Sequence, residues 1–108
     1  MEIMARPRRG EIWRVDLGLA GKVRPAVVVS AYPEDSDYAL IAVVPHTTSV
    51  RGAAYEVVLT VPFLQPGAFN VQGLAPLPPV RFLNRIGELT NEQMEQIDQV
   101  MASWLCLG

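Results

Sequence analysis

Polar and apolar residues alternate from Glu11 to Asp16 (Glu-Ile-Trp-Arg-Val-Asp), the two-residue period of a strand with a buried face. Leu17 to Lys22 follows with two glycines and reads as a connection. From Pro25 to Tyr32 the chain is β-branched and apolar, with proline first, where a missing donor is tolerated; this predicts a strand buried on both faces. Pro33 to Asp37 has turn chemistry, and Tyr38 to Pro45 is a second apolar run, so the two runs are expected to pair antiparallel. His46 to Gly52 reads as a polar loop, and Tyr55 to Val61 as a strand ended by Pro62. Pro66-Gly67 marks a turn, and Ala68 to Leu74 a strand weakened by Gly73. Ala75-Pro76-Leu77-Pro78-Pro79 is too rich in proline for a central strand or a helix interior, and Arg85 to Leu89 reads as a short strand.

The period then changes. Met94, Ile97, Val100, Met101, Trp104 and Leu105 form one apolar stripe at helical spacing, with Glu92, Glu95, Asp98 and Gln99 outside it. Thr90 followed by Gln93 is the signature of a capping box at the start of that helix. Strands followed by one terminal helix predict an α+β, mostly β, fold: a strongly bent sheet or barrel closed by a helix.

The 108 residues suit a single domain, 1–108, with 1–8 expected as a flexible tail. Half the residues are apolar and the formal charge is only −2, which argues against disorder. No apolar run approaches the roughly 18 to 20 residues of a spanning helix, so no membrane association is expected. The basic start lacks the apolar stretch of a signal peptide, and Cys106 is the single cysteine; both point to the cytoplasm.

Charge is unevenly placed. Residues 1–30 hold six basic groups against three acids, while residues 88–108 hold four acids and neither Lys nor Arg. That split hints at an anionic partner on the amino-terminal side, or at a basic tail beside a solvated helix face. Several chemistries lack their residues. There is no phosphate-binding loop and no Gly-x-Ser-x-Gly elbow, and His46 and Cys106 stand alone as soft metal ligands. No metal or organic cofactor is expected.

Two segments carry the remaining chemistry. In Gly21-Lys22-Val23-Arg24-Pro25-Ala26 the proline holds Arg24 extended at the mouth of a buried strand. A guanidinium offered from a fixed point suits two-pronged phosphate recognition. In Val44-Pro45-His46-Thr47-Thr48-Ser49 an imidazole and three hydroxyls follow a strand end and can serve the same phosphate. Each also fits an ordinary role: Arg24 in a surface ion pair, the hydroxyls in a turn, His46 as a partly exposed loop histidine.

Read in order, these strings resemble the MazF/PemK-type toxins, endoribonucleases of bacterial type II toxin–antitoxin modules. The matching pieces are Arg9 to Leu17, Arg24 to Ser30, Val44 to Thr48, Tyr55 to Leu59 and Arg85 to Thr90, followed by the helix with Met94, Ile97 and Asp98. The resemblance implies a small SH3-like antiparallel β-barrel (PemK/CcdB-like) with a C-terminal helix, assembled as a homodimer. It implies metal-independent cleavage of single-stranded RNA through the neighbouring 2′-hydroxyl, and inhibition by a cognate antitoxin with an acidic tail. The family's active-site arginine falls on Arg24 and its threonine or serine on Thr47; His46 is a candidate proton carrier on its ordinary pKa of about 6.5, not through the resemblance. Lys22, Thr48, Ser49, Arg51 and Gln72 are the expected RNA-binding residues.

The chain also departs from the family. The connection from Gly18 to Val23 is short, and Val71-Gln72-Gly73-Leu74 keeps Gln72 where many relatives carry an acidic-Gln-x-Arg stretch. The alternative expectation is therefore a catalytically degenerate or CcdB-like binding protein on the same fold, for which the terminal Trp104-Leu105-Cys106-Leu107-Gly108 would be the contact.

Overall fold

The computed structural model describes residues 6–18 and 22–108. Seven strands precede one helix: β1 (Glu11–Asp16), β2 (Val23–Val28), β3 (Ile41–Thr47), β4 (Glu56–Val58), β5 (Ala68–Asn70), β6 (Ala75–Leu77) and β7 (Phe82–Glu88), then α1 (Asn91–Trp104). The pairings are antiparallel, in the order β4-β5-β3-β2-β1-β7, and β6 pairs with β3 off that path. The expected mostly-β architecture with a terminal helix is present. Its barrel is not closed: β4 and β7 are the two ends of the pairing order and form no ladder with each other.

β2 is buried on both faces, as its unbroken apolar run requires. Val27 enters one core with Ile12, Val44, Phe69, Leu89, Met94 and Ile97, while Ala26 and Val28 enter a second with Val15, Ile41, Val43, Leu77 and Phe82. A strand's side chains point alternately to opposite faces, so β2 and β3 each serve both cores. Burying each valine or isoleucine contributes about 1.5–3 kcal/mol.

α1 covers the first core. Thr90 Oγ1 accepts from the Gln93 N–H at 3.1 Å, and Gln93 Oε1 accepts from the Thr90 N–H at 3.0 Å, which completes the capping box. Met94 and Ile97 are buried, and Val100, Met101 and Trp104 pack against them. Leu105, expected in the same stripe, is the C-cap and stands exposed. Arg9 ties the start of the chain to this helix: its guanidinium donates to the Val29 carbonyl at 2.6 Å and pairs with Asp98. Residues 1–5 of the expected tail lie outside the described residues; Pro7 is fully buried, and the Arg6 guanidinium lies 4.8 Å from the Tyr32 ring centroid.

Several element boundaries differ from the sequence pattern. β3 extends through His46 and Thr47, so the polar loop begins at Thr48 and His46 is a buried strand residue, not a partly exposed loop histidine. β4 keeps only three of the seven residues from Tyr55 to Val61. The strand expected over Ala68–Leu74 stops at Asn70, whose Oδ1 accepts from the Gln72 N–H at 3.2 Å and turns the chain into the 3₁₀ segment Val71–Gly73. The proline-rich stretch still supplies β6, which pairs Ala75, Pro76 and Leu77 with the first half of β3, while β5 pairs with its last two residues. β7 starts three residues earlier than the pattern suggests and meets β1 with two register shifts.

Candidate active site

The site begins with two residues that lack a backbone N–H. β2 and β3 are paired only from Ala26 to Val28 and from Val43 to Pro45. At that end stand Pro25 and Pro45, neither of which can donate to a ladder. Beyond them β2 stays with β1, pairing Arg24 with Val15, whereas β3 passes to β5, pairing His46 with Phe69 and Thr47 with Ala68. The strands part, and the space between them is lined by Arg24 on one side and by His46 and Thr47 on the other.

Two adjoining cavities result, and they share Arg24 and His46. The larger, about 700 Å³, is lined by Arg24, Thr47, Ser49, Arg51, Glu56 and Gln72, among others. The smaller, about 540 Å³, has Arg14, Lys22, Arg24, His46, Thr48 and Phe63 on its walls. Its charged lining side chains, Arg14, Lys22 and Arg24, are all cationic. All eight side chains singled out in the sequence thus line one cavity or the other, and Arg24 and Thr47 line the same one.

Local hydrogen bonds set these side chains. Thr47 Oγ1 accepts from the Ser49 N–H at 3.0 Å, which bends the chain out of β3. The hydroxyl hydrogen remains available to a ligand oxygen, since a hydroxyl both accepts and donates. The Glu56 carboxylate accepts from the N–H of Arg51 at 3.1 Å and of Ala53 at 3.0 Å, closing the turn that carries Arg51. Those N–H donors hold the carboxyl below its ordinary 4.5. On the β1–β2 connection, Leu17 N–H donates to the Lys22 carbonyl at 2.9 Å and Lys22 N–H to the Gly18 carbonyl at 3.1 Å. Lys22 there takes a left-handed backbone conformation, φ 59°. Residues 19–21 of that connection lie outside the described residues.

His46 is 5% exposed, and the edge of its ring meets Phe69 with centroids 5.0 Å apart. Burial disfavours the imidazolium and lowers its pKa below the ordinary 6.5, so the ring is uncharged at neutral pH. Among the described residues, no three His, Cys, Asp or Glu side chains converge to hold a metal ion, and no helix is long and apolar enough to cross a membrane.

Sequence reasoning missed Glu56 as the support of the Arg51 turn. Its signal is faint, a carboxylate three residues after Ala53 whose N–H it accepts. It also left Arg14 and Gln65 out of the site, although the fold places both on the smaller cavity. Their contribution depends on the packing of β1 and of the 61–66 turn, which no local spacing announces.

Known proteins are similar to this chain in sequence and fold. A family model described as PemK-like, MazF-like toxin of type II toxin–antitoxin system matches residues 8–105. The probable endoribonuclease MazF5 of Mycobacterium tuberculosis is 33% identical over 96 residues, covering 86% of this chain and 87% of that protein. Among solved structures, an endoribonuclease from a mycobacterial species in complex with its cognate antitoxin superposes with a TM-score of 0.79 at 26% identity, over 94% of this chain and 97% of its own. A MazE–MazF complex from Deinococcus radiodurans superposes equally well, TM-score 0.79, over 96% of this chain and all of the other; at 19% identity it speaks for the fold alone. With the family match running almost from end to end, this chain belongs to the PemK-like, MazF-like toxins of type II toxin–antitoxin systems.

Proposed function

We propose that the chain is a toxin endoribonuclease that cleaves single-stranded RNA without a metal ion, with Arg24 and Thr47 acting on the scissile phosphate. The observation that supports this most directly is that both side chains line one cavity from strands that part at two prolines. In the proposed reaction the RNA 2′-hydroxyl oxygen attacks the adjacent phosphorus and the bond to the 5′-oxygen breaks. The products are a 2′,3′-cyclic phosphate and a 5′-hydroxyl. The nucleophile belongs to the substrate, so the protein supplies alignment and stabilisation of the charge that builds on the phosphoryl oxygens.

Arg24 offers two parallel charge-assisted donors for that charge and Thr47 one neutral donor. Arginine does not give up its proton in proteins, so the acceptor of the 2′ proton is another group. Of the acceptors lining the cavities, neutral His46 is the candidate, while the Glu56 carboxylate is engaged by the backbone N–H groups of Arg51 and Ala53. Lys22, Thr48, Ser49, Arg51 and Gln72 bind the flanking RNA. A cognate antitoxin with an acidic segment is the inhibitor, consistent with the complex solved for the mycobacterial relative. A second copy of the chain is the other partner, and exposed Tyr38, Val58 and Val80 give it apolar surface to cover. The site of action is the cytoplasm.

The test is cleavage of a single-stranded RNA by the parent chain, Arg24→Ala and Thr47→Ala, with and without a chelator, followed by identification of the fragment ends. Each substitution is expected to slow cleavage by about 10²–10³, the usual effect of removing one donor to a developing oxyanion. Variants as fast as the parent would remove Arg24 and Thr47 from the reaction, and activity lost only with chelator would overturn the metal-free route.

A further inference from the structure

The smaller cavity holds a feature that phosphate chemistry does not use. Phe63 lines it, is 44% exposed, and faces a wall whose charged groups are all cations. Its turn is anchored: Val61 is buried, Leu64 packs on the same core, and the Leu64 N–H donates to the Val61 carbonyl at 3.0 Å. Prolines at 62 and 66 stiffen both flanks. The ring tip rests on Gly87 of β7, so close that a Cβ there would fall 2.5 Å from Cζ and 2.9 Å from Cε1 and Cε2. A large apolar ring is thus held at a cationic cavity by a glycine that leaves room for it.

Single-stranded nucleic acids are bound by this combination, cations for the backbone and an aromatic face for a base. Arg24 belongs to both cavities, so a nucleotide whose phosphate lies at Arg24 has the smaller cavity as its neighbour. The 540 Å³ volume falls within the range of about 300–1,000 Å³ typical of small-ligand sites. We propose, resting on the endoribonuclease reading, that Phe63 is a nucleobase platform. The base next to the scissile phosphate stacks on its ring, with the Gln65 amide, on the same cavity wall, available to that base's edge. Phe63 is a base-binding residue that takes no part in bond breaking, and stacking on it tolerates any base.

The experiment is a coupling measurement with a single-stranded oligoribonucleotide carrying a 2′-deoxy sugar at the cleavage position, so that it binds without being cut. The parent and Phe63→Ala are each titrated with the intact oligonucleotide and with a set in which one base at a time is removed. Phe63→Ala is expected to weaken binding about five- to a hundredfold. Removing one base beside the scissile bond should weaken the parent equally and the variant no further. Phe63→Trp should retain affinity, and Gly87→Ala, which displaces the ring, should lose the coupling. Additive losses at every position would overturn the platform while leaving cleavage by the parent intact. Coupling in a chain that cuts no RNA would keep the platform and remove the nuclease. If Phe63→Ala dissociates a dimer in sedimentation and leaves RNA affinity unchanged, the ring belongs to a protein contact and the proposal fails.

Discussion

Gly67 lies against the imidazole of His46: a Cβ built on it would fall 2.8 Å from Cε1 and 3.0 Å from Nε2, and would strike the Thr47 carbonyl oxygen. Phe69 meets the same ring edge-on. Two residues of the cavity wall are thereby positioned from beneath, by a residue that does not itself reach the cavity. The shape of the cavity wall depends on how tightly the chain entering β5 approaches the end of β3.

Gly67→Ala tests that dependence. The added methyl meets backbone, which cannot swing aside, so overpacking is expected to cost about 1–3 kcal/mol. Urea unfolding should show a lower midpoint at unchanged slope. RNA cleavage under conditions where the variant is still folded should also fall, because Thr47 must shift to relieve the contact.

His46 makes stability depend on pH in a known direction. Its folded-state pKa is depressed by burial, so the unfolded chain binds the proton more readily than the native one. The stabilisation from keeping the ring neutral is fully present above the unfolded value, near 6.5, and is lost as pH falls through the folded value. As the chain's single histidine, it gives an unambiguous NMR titration, whose midpoint is expected below 6.5. His46→Gln should abolish the corresponding slope of stability against pH. If His46 accepts the 2′ proton, the acid limb of the cleavage profile moves with the same midpoint.

Glu56→Ala should loosen the Arg51 turn without unfolding the protein. The N–H groups of Arg51 and Ala53 lose their acceptor, and faster amide motion at these two positions is the expected NMR signature. In the parent the same loosening appears on acidification. The carboxyl is depressed below 4.5 in the folded state, so its contribution is present above that value and lost as pH falls through the folded one. RNA affinity of the variant should drop if Arg51 contacts the strand.

Thr90→Ala removes both halves of the capping box at once in effect, since the returning Gln93 bond depends on the turn that Thr90 sets. A loss of about 1 kcal/mol is expected from equilibrium unfolding. Thr90→Ser should restore it.

What was legible in the sequence were the features with local causes. The two-faced burial of β2 follows from a run of valines, and the helix start from a threonine and a glutamine three residues apart. Arg24 and Thr47 could be named because each adjoins an apolar strand run and falls in order on the family's pattern, although the strands run past Pro25 and Pro45. The fate of His46 was hidden, because polar neighbours at 47–49 suggest a loop while its burial comes from Gly67 and Phe69, about twenty residues away. The same holds for Phe63, whose exposure is set by its contact with Gly87 on a strand formed late in the chain. β6 was obscured by Pro76 within it and Pro78-Pro79 after it; a strand tolerates a proline when only one of its edges is paired.

The gap between β2 and β3 is written in the covalent chain. Imino acids at 25 and 45 each withhold a ladder donor where the strands part, and beyond them Arg24 is paired to β1 and His46 to β5. The phosphate of the proposed substrate would meet a vestibule already formed, with the work of separating two strands absent from the free energy of its arrival.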